Sequence, residues 1–177
     1  FELSKRHIIL TLCNSNVGNC KDYTSLKLNI CDGVLLRNAF NYFRPDIVIH
    51  TAAISHPVLP EGISSKDLYN LNVNVTKNIA ELCDKFNSKL IYTSTDLVYA
   101  GYRGSMLKED AKLIPVSLYA ETKLIGEIKI QQTFDNYVIL RTALLFGFGI
   151  NHSKIHFHEM YKNLQGGKTV KLLTDQF

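Results

Sequence analysis

Strand-sized apolar runs and helical repeats take turns along this chain, and that alternation limits its fold more than any other feature. His7–Cys13 (H-I-I-L-T-L-C) predicts a β-strand. Asp32–Tyr42 then places Val34, Leu35, Ala39 and Phe40 at helical spacing, with Asp32 as N-cap, and Pro45 stops the helix. Asp46–Thr51 (D-I-V-I-H-T) reads as a buried strand and Gly62–Ser65 as a loop. Lys66–Phe86 reads as one long amphipathic helix through Leu68, Leu71, Val75, Ile79, Ala80 and Cys83. Leu90–Thr93 is the next strand, and Leu118–Gln132, with Pro115 near its start, the next helix. Tyr137–Arg141 (strand), His152–Leu164 (helix), Gly166-Gly167 (turn) and Val170–Leu173 (strand) complete the series. Parallel strands need crossover connections, which helices supply, so the pattern predicts an α/β fold: an open parallel sheet covered on both faces. No repeat, low-complexity tract or linker interrupts residues 1–177, which predicts a single domain.

Composition excludes several classes. Hydrophobic residues at 46% and charged residues at 20% are those of an ordinary globular domain, and 177 residues can bury a proper core. The net charge of +4 is small and its basic residues are scattered, which points away from nucleic acid and from an anionic membrane. No apolar run approaches the roughly 18 residues that span a bilayer, and Phe1–Arg6 does not read as a signal peptide. Cys13, Cys20, Cys31 and Cys83 form no C-x-x-C pair, the usage of a cytoplasmic protein with reduced thiols. Cys83 belongs to an apolar helix face, and nothing near Cys13 would activate its thiol.

The chemistry is concentrated in two short stretches. Tyr119 and Lys123 stand four apart in S-L-Y-A-E-T-K, hence one turn apart on one helix face, and T-S-T-D (Thr93–Asp96) precedes them at the end of a strand. A phenol with a pKa of about 10 is a poor acid or base at neutral pH, and a nearby ammonium corrects this by stabilising the anion. A Thr95 hydroxyl could hold a carbonyl oxygen against the phenol. Ligands of open α/β sheets bind at the carboxyl ends of strands, where Thr93–Thr95 and the small pair Ala52-Ala53 both fall. Asp96 orients a substrate or caps the turn after the strand. His50, inside a strand, reads as a satisfied core histidine. His152, His156 and His158 contain an i, i+4 pair, but only Glu159 stands near the right register, so a surface helix without metal is expected. Tyr99, Tyr102 and Arg103 form either a loop over the site or surface aromatics, and Glu109-Asp110 read as solvated charges.

These residues together resemble the extended short-chain dehydrogenase/reductase family, in its dTDP-4-dehydrorhamnose reductase branch. The matching stretches are R-P-D-I-V-I-H-T-A-A (Arg44–Ala53), N-V-N-V-T (Asn72–Thr76), Y-T-S-T-D-L-V-Y-A-G (Tyr92–Gly101), K-E-D-A (Lys108–Ala111), P-V-S-L-Y-A-E-T-K (Pro115–Lys123) and L-R-T-A-L-L-F-G (Leu140–Gly147). The resemblance covers nearly all of the chain from Leu26 onward. It implies a Rossmann-type, doubly wound, three-layer αβα domain that reduces a keto group on a nucleotide-linked deoxysugar with NADPH or NADH. It makes Thr95, Tyr119 and Lys123 catalytic, with Lys123 also on the ribose. It places Ala52 and Ala53 under the dinucleotide, Asn74 where a family residue holds the active-site helix, and Thr93, Thr142 and Leu145 beside the cofactor. Thr95, Asp96 and Leu144 would face the substrate. A homodimer follows by analogy alone.

The departures carry information too. The family opens with a strand and a G-x-x-G-x-x-G loop that cradles pyrophosphate, which this chain lacks, and Phe1–Arg6 reads like the tail of the helix after such a loop. At the other end the chain stops at Thr174–Phe177, where relatives continue. The expectation is an internal fragment, truncated at both ends and inactive by itself, of a parent enzyme. Leu144 and Leu97 stand where rhamnose-pathway reductases carry aromatics, and Ile54–Gly62 departs from that subfamily's acidic helix start, which opens the substrate to other nucleotide sugars. Cys13-Asn14-Ser15-Asn16 offers no acid to a ribose 2′-hydroxyl, which tolerates a 2′-phosphate and leans the cofactor toward NADPH, although no arginine follows to grip that phosphate. Two other functions share these motifs. One is a sugar epimerase using the same trio. The other is a noncatalytic dinucleotide-binding regulatory subunit, like the beta subunit of methionine adenosyltransferase, which resembles the same family.

Overall fold

The computed structural model describes residues 3–15, 23–55, 59, 61–99, 106–143 and 156–170, with side chains in the last stretch from residue 159. The elements run β1 (Leu10–Cys13), β2 (Thr24–Lys27), α1 (Gly33–Phe43), β3 (Ile47–His50), α2 (Ser65–Tyr69), a π-turn (Asn70–Val75), α3 (Thr76–Phe86), β4 (Lys89–Thr95), α4 (Leu118–Thr133), β5 (Tyr137–Thr142) and α5 (His156–Gln165). Every named strand pair is parallel: β1 with β2, then β3 with β4 and β4 with β5, Val48 standing beside Leu90 and Leu90 beside Tyr137. The fold is therefore α/β and Rossmann-like, with parallel sheets flanked by helices.

Local chemistry sets the boundaries. Asp32 Oδ1 accepts from Val34 N at 2.9 Å and Leu35 N at 3.0 Å, which satisfies amides that the first turn of α1 leaves free. The helix ends at Arg44, whose left-handed backbone (φ 51°) precedes Pro45 and whose guanidinium lies 4.9 Å above the Phe86 ring. Ser64 and Asp67 form a reciprocal capping box at α2, and Ser117 Oγ accepts from Ala120 N at 3.2 Å to begin α4.

Strand alternation then chooses the core. Val48 and His50, Leu90, Tyr92 and Ser94, and Tyr137, Ile139 and Arg141 share one sheet face. Against it pack Leu36 and Phe40 of α1, Ile79, Ala80 and Cys83 of α3, and Ile130 of α4. On the opposite face Ile47 and Ile49 are each 50% exposed.

Three sequence expectations change. Strand β1 is shorter than His7–Cys13, because Ile8 lies outside the ladder and is 90% exposed. Strand β2, T-S-L-K, has one large apolar residue and gave no periodic signal; it exists as the ladder partner of β1. The helix expected over Lys66–Phe86 is α-helical only at its ends, since Asn70–Val75 winds as a π-turn. Within it the Asn72 carbonyl accepts the Thr76 hydroxyl at 2.8 Å, a side-chain bond that competes with the backbone ladder. Most of the expected strand Val170–Leu173, and the start of the expected helix at His152, lie outside the described residues.

Helix α4 lies close against the sheet at Gly126. A Cβ there would lie 2.6 Å from the Tyr92 hydroxyl and 3.1 Å from the Asn72 carbonyl oxygen. Tyr92 is fully buried and cannot swing aside. Gly126→Ala should therefore lower stability by about 1–3 kcal/mol despite alanine's better helix propensity. Urea unfolding checks this, and an unchanged or raised midpoint would show that the helix can shift.

Candidate active site

Three strand ends and the first turns of α4 meet at one edge of the sheet. Strand β4 runs on to Thr95, two residues beyond its predicted end. There Thr95 Oγ1 accepts from Leu97 N at 3.2 Å, capping the 3-10 turn Asp96–Val98, and donates to Asp96 Oδ1 at 3.3 Å. Thr95 is buried and Asp96 exposed at the mouth. Thr93 Oγ1 donates to the His50 carbonyl at 3.1 Å and Thr142 Oγ1 to the Ser94 carbonyl at 3.3 Å, so both hydroxyls stitch neighbouring strand ends together. Ala52, exposed, and Ala53, half-buried, follow β3 and leave its end free of side-chain bulk. Leu144 and Leu145 lie outside the described residues, as do Tyr102 and Arg103.

Helix α4 presents Tyr119 half-buried beside Thr95. Burial and then the Asp96 charge raise the phenol's pKa, while a hydrogen bond with Thr95 pulls it back. The sequence predicted a phenol lowered by Lys123. It is raised instead, by burial and by Asp96, and Lys123 Nζ sits over the Tyr92 ring, 4.0 Å from its centroid, a favourable cation–π position. Lys123 is 2% exposed. Burial lowers its pKa to about 8 and the Glu127 carboxylate opposes that shift, so the ammonium form predominates at neutral pH.

The residue that holds α4 is Asn72. Its Oδ1 accepts from Ile54 N at 2.9 Å, and its Nδ2 donates to the Ile54 carbonyl at 3.1 Å and to Thr122 Oγ1 at 3.0 Å. The sequence reading gave the holding task to Asn74. That side chain is exposed and donates to Asn70 Oδ1 at 3.2 Å, because the π-turn points Asn72 inward instead.

His50 is a core residue, as expected. Thr76 gives its single hydroxyl proton to Asn72, so at 3.0 Å His50 Nε2 must donate to Thr76 Oγ1. Burial first, and Lys123 second, lower the imidazole pKa to about 3.

Sequence reasoning missed Ser94, Glu127 and Arg141. Glu127 is 1% exposed, accepts from Ser94 Oγ, and pairs with Arg141, Nη2 to Oε2, at 2.7 Å. The one available signal was a carboxylate at i+4 from Lys123 on an inward-facing turn. Arg141 Nη1 also donates to the Tyr99 hydroxyl and the Glu109 carbonyl, both at 2.8 Å, so Tyr99 is a fixed part of this cluster. Among the described residues no group of three potential metal ligands comes together, and no helix is long and apolar enough to cross a membrane.

This geometry, a hydroxyl, a phenol and a buried ammonium at the carboxyl edge of a parallel sheet, has relatives of known kind. Residues 2–177 match the RmlD substrate binding domain, and the chain belongs to that family. It is 32% identical over 121 residues to methionine adenosyltransferase 2 subunit beta of Xenopus laevis, covering 68% of this chain and 35% of that protein. It is 29% identical over 129 residues to dTDP-4-dehydrorhamnose reductase of Aggregatibacter actinomycetemcomitans, covering 72% and 44%. The structure of a hypothetical dTDP-4-dehydrorhamnose reductase from Sulfolobus tokodaii superposes with a TM-score of 0.81 at 29% identity, over 96% of this chain and 57% of that one. The Bacillus anthracis dTDP-4-dehydrorhamnose reductase in complex with NADP gives 0.70 at 26% identity, over 85% and 54%. The chain thus spans 35% to 57% of the length of these relatives.

A neutral buried imidazole has a definite pH signature. Its folded pKa, about 3, lies below the ordinary 6.5. Its contribution is therefore complete above pH 6.5 and is lost as pH falls toward 3, with a slope of up to about 1.4 kcal/mol per pH unit. His50→Gln keeps a donor for Thr76 but cannot titrate, so its urea midpoint should vary less across that window. Equal slopes in the two proteins would assign the acid sensitivity to other groups.

Proposed function

We propose that the protein carrying these residues reduces a keto group on a nucleotide-linked deoxysugar, as a reductase of the short-chain dehydrogenase/reductase type. One observation carries the reading: Tyr119 stands beside the Thr95 hydroxyl at the end of β4, with the buried Lys123 ammonium one turn along the same face of α4. Reduction consumes a proton at the carbonyl oxygen, which the protonated phenol supplies, and the raised pKa that burial gives it must be offset by the nearby positive charge as the phenolate forms. Thr95 orients the carbonyl oxygen against that phenol. Positive charge at Lys123 favours the phenolate as it forms, and its stem positions the ammonium for a ribose.

A bound nicotinamide dinucleotide supplies the hydride. The residues present fit such a group: Ala52 and Ala53 leave room beyond β3, Thr93 and Thr142 keep the strand ends together, and Tyr119 and Lys123 face the same edge. Asn72 replaces Asn74 in this reading, and Leu145 would complete the lining. NADPH is favoured over NADH, since no acid follows β1 and the Bacillus anthracis relative was solved with NADP.

A specific observation favours a second reading: identity to the methionine adenosyltransferase subunit, at 32%, is as high as to the reductase, at 29%. An epimerase would use the same trio. The test is NADPH oxidation with dTDP-4-keto-6-deoxysugars. Tyr119→Phe should lower turnover about 10²–10⁴-fold while leaving the unfolding midpoint and dinucleotide affinity near those of the parent. Inversion without net NADPH consumption would identify an epimerase. Dinucleotide binding with no turnover on any keto-sugar would move the regulatory reading to first place.

A further inference from the structure

Helix α4 buries a second ionised side chain that the proposed reaction does not touch. Glu127 lies one turn beyond Lys123 on the same helix face. Its Oε1 accepts from Ser94 Oγ and from Arg141 Nε at 3.1 Å, and its Oε2 from Arg141 Nε at 3.2 Å and Nη2 at 2.7 Å. Arg141 is fixed in turn by the Tyr99 hydroxyl and the Glu109 carbonyl, and lies 4.9 Å over the Tyr99 ring. Such a fork is geometrically strong, yet burying two charges consumes most of the energy that their attraction returns. Stability alone is a weak reason for its presence.

The surroundings of Lys123 supply a better one. From β3 it meets His50, buried and neutral at physiological pH; from β4 the Tyr92 ring; from its own helix the protonated Tyr119. Arg141 of β5 is positive, and Asp96 is exposed beside Tyr119. Glu127 is the buried negative charge on this face, and it favours the charged lysine. Among the described residues no carboxylate closes a salt bridge on Lys123. A direct salt bridge would fasten the ammonium, whereas a carboxylate held one turn away sustains the charge and leaves the ammonium available to a ligand.

We propose that Glu127 is the positioning residue that keeps the Lys123 ammonium charged within the buried face of α4, and that Arg141 and Ser94 hold its carboxylate where it acts without closing a salt bridge. The proposal rests on the reading of Lys123 as the active-site cation. Its test reads the ammonium and not turnover, so a failed assay and a failed proposal are distinguishable. The Lys123 side chain is followed by NMR in protein carrying ¹³C,¹⁵N-lysine, its signal assigned by loss in Lys123→Met. Its titration midpoint should fall by at least about one pH unit in Glu127→Gln, a tenfold loss of proton affinity. The double variant E127Q/R141M removes both buried charges together, a replacement that protects the fold where the single variant strands an arginine. It should show a fall in the same direction but smaller, because the positive charge of Arg141 leaves with the carboxylate. A midpoint unchanged in both Glu127→Gln and the double variant, with only the urea midpoint altered, would make Glu127 a structural residue and overturn the proposal.

Discussion

The amide of Asn72 is the contact on which the arrangement of this edge depends. One side chain joins three pieces of backbone: the π-turn that carries it, the segment after β3 through Ile54, and the first turns of α4 through Thr122. Thr122 Oγ1 passes its own proton to the Tyr119 carbonyl at 2.8 Å, so its oxygen can only accept from Asn72. The directions of the bonds are thereby fixed from His50 through Thr76 and Asn72 to Thr122. A fully connected polar chain of this kind specifies one packing, because any slip leaves a buried donor or acceptor unmade.

Two electrical environments meet along α4. Toward the mouth, Tyr119 is shaped by Asp96 and Thr95, and its phenol stays protonated. Deeper, Lys123, Glu127 and Arg141 alternate in sign, and none of the three is more than slightly exposed. Gly126 lets this helix approach Tyr92 and the Asn72 carbonyl closely enough to bury both environments. Packing thus determines the charge states on which the proposed chemistry draws.

Much of this was legible in the sequence. Alternating strand and helix patterns gave the parallel α/β fold, and Asp32 marked a helix start that the structure confirms. Residues four apart on α4 were correctly placed on one face. What escaped depends on contacts distant in sequence, or on a count of one. Glu127 and Arg141 are fourteen residues apart on different elements, so no periodicity links them. In N-V-N-V only one asparagine turns inward, and hydrophobic spacing cannot tell an α-turn from a π-turn that contains one more residue. The direction of the Tyr119 shift was missed for a similar reason: spacing put an ammonium one turn away but did not reveal how far packing buries the phenol or that Asp96 faces it.

The π-turn also makes this region unequally tolerant of genetic change. Each residue turns an α-helix by about 100°. Loss of a single codon from the stretch encoding Asn70–Val75 would restore an uninterrupted α-helix, and by helix propensity alone the result would look like an improvement. The asparagine side chains that remained would nevertheless point elsewhere, and α2 and α3 would each keep their packing while the segment after β3 lost its tether. Substitutions grade their damage here, but a one-residue deletion would separate a well-formed fold from a working edge in one step.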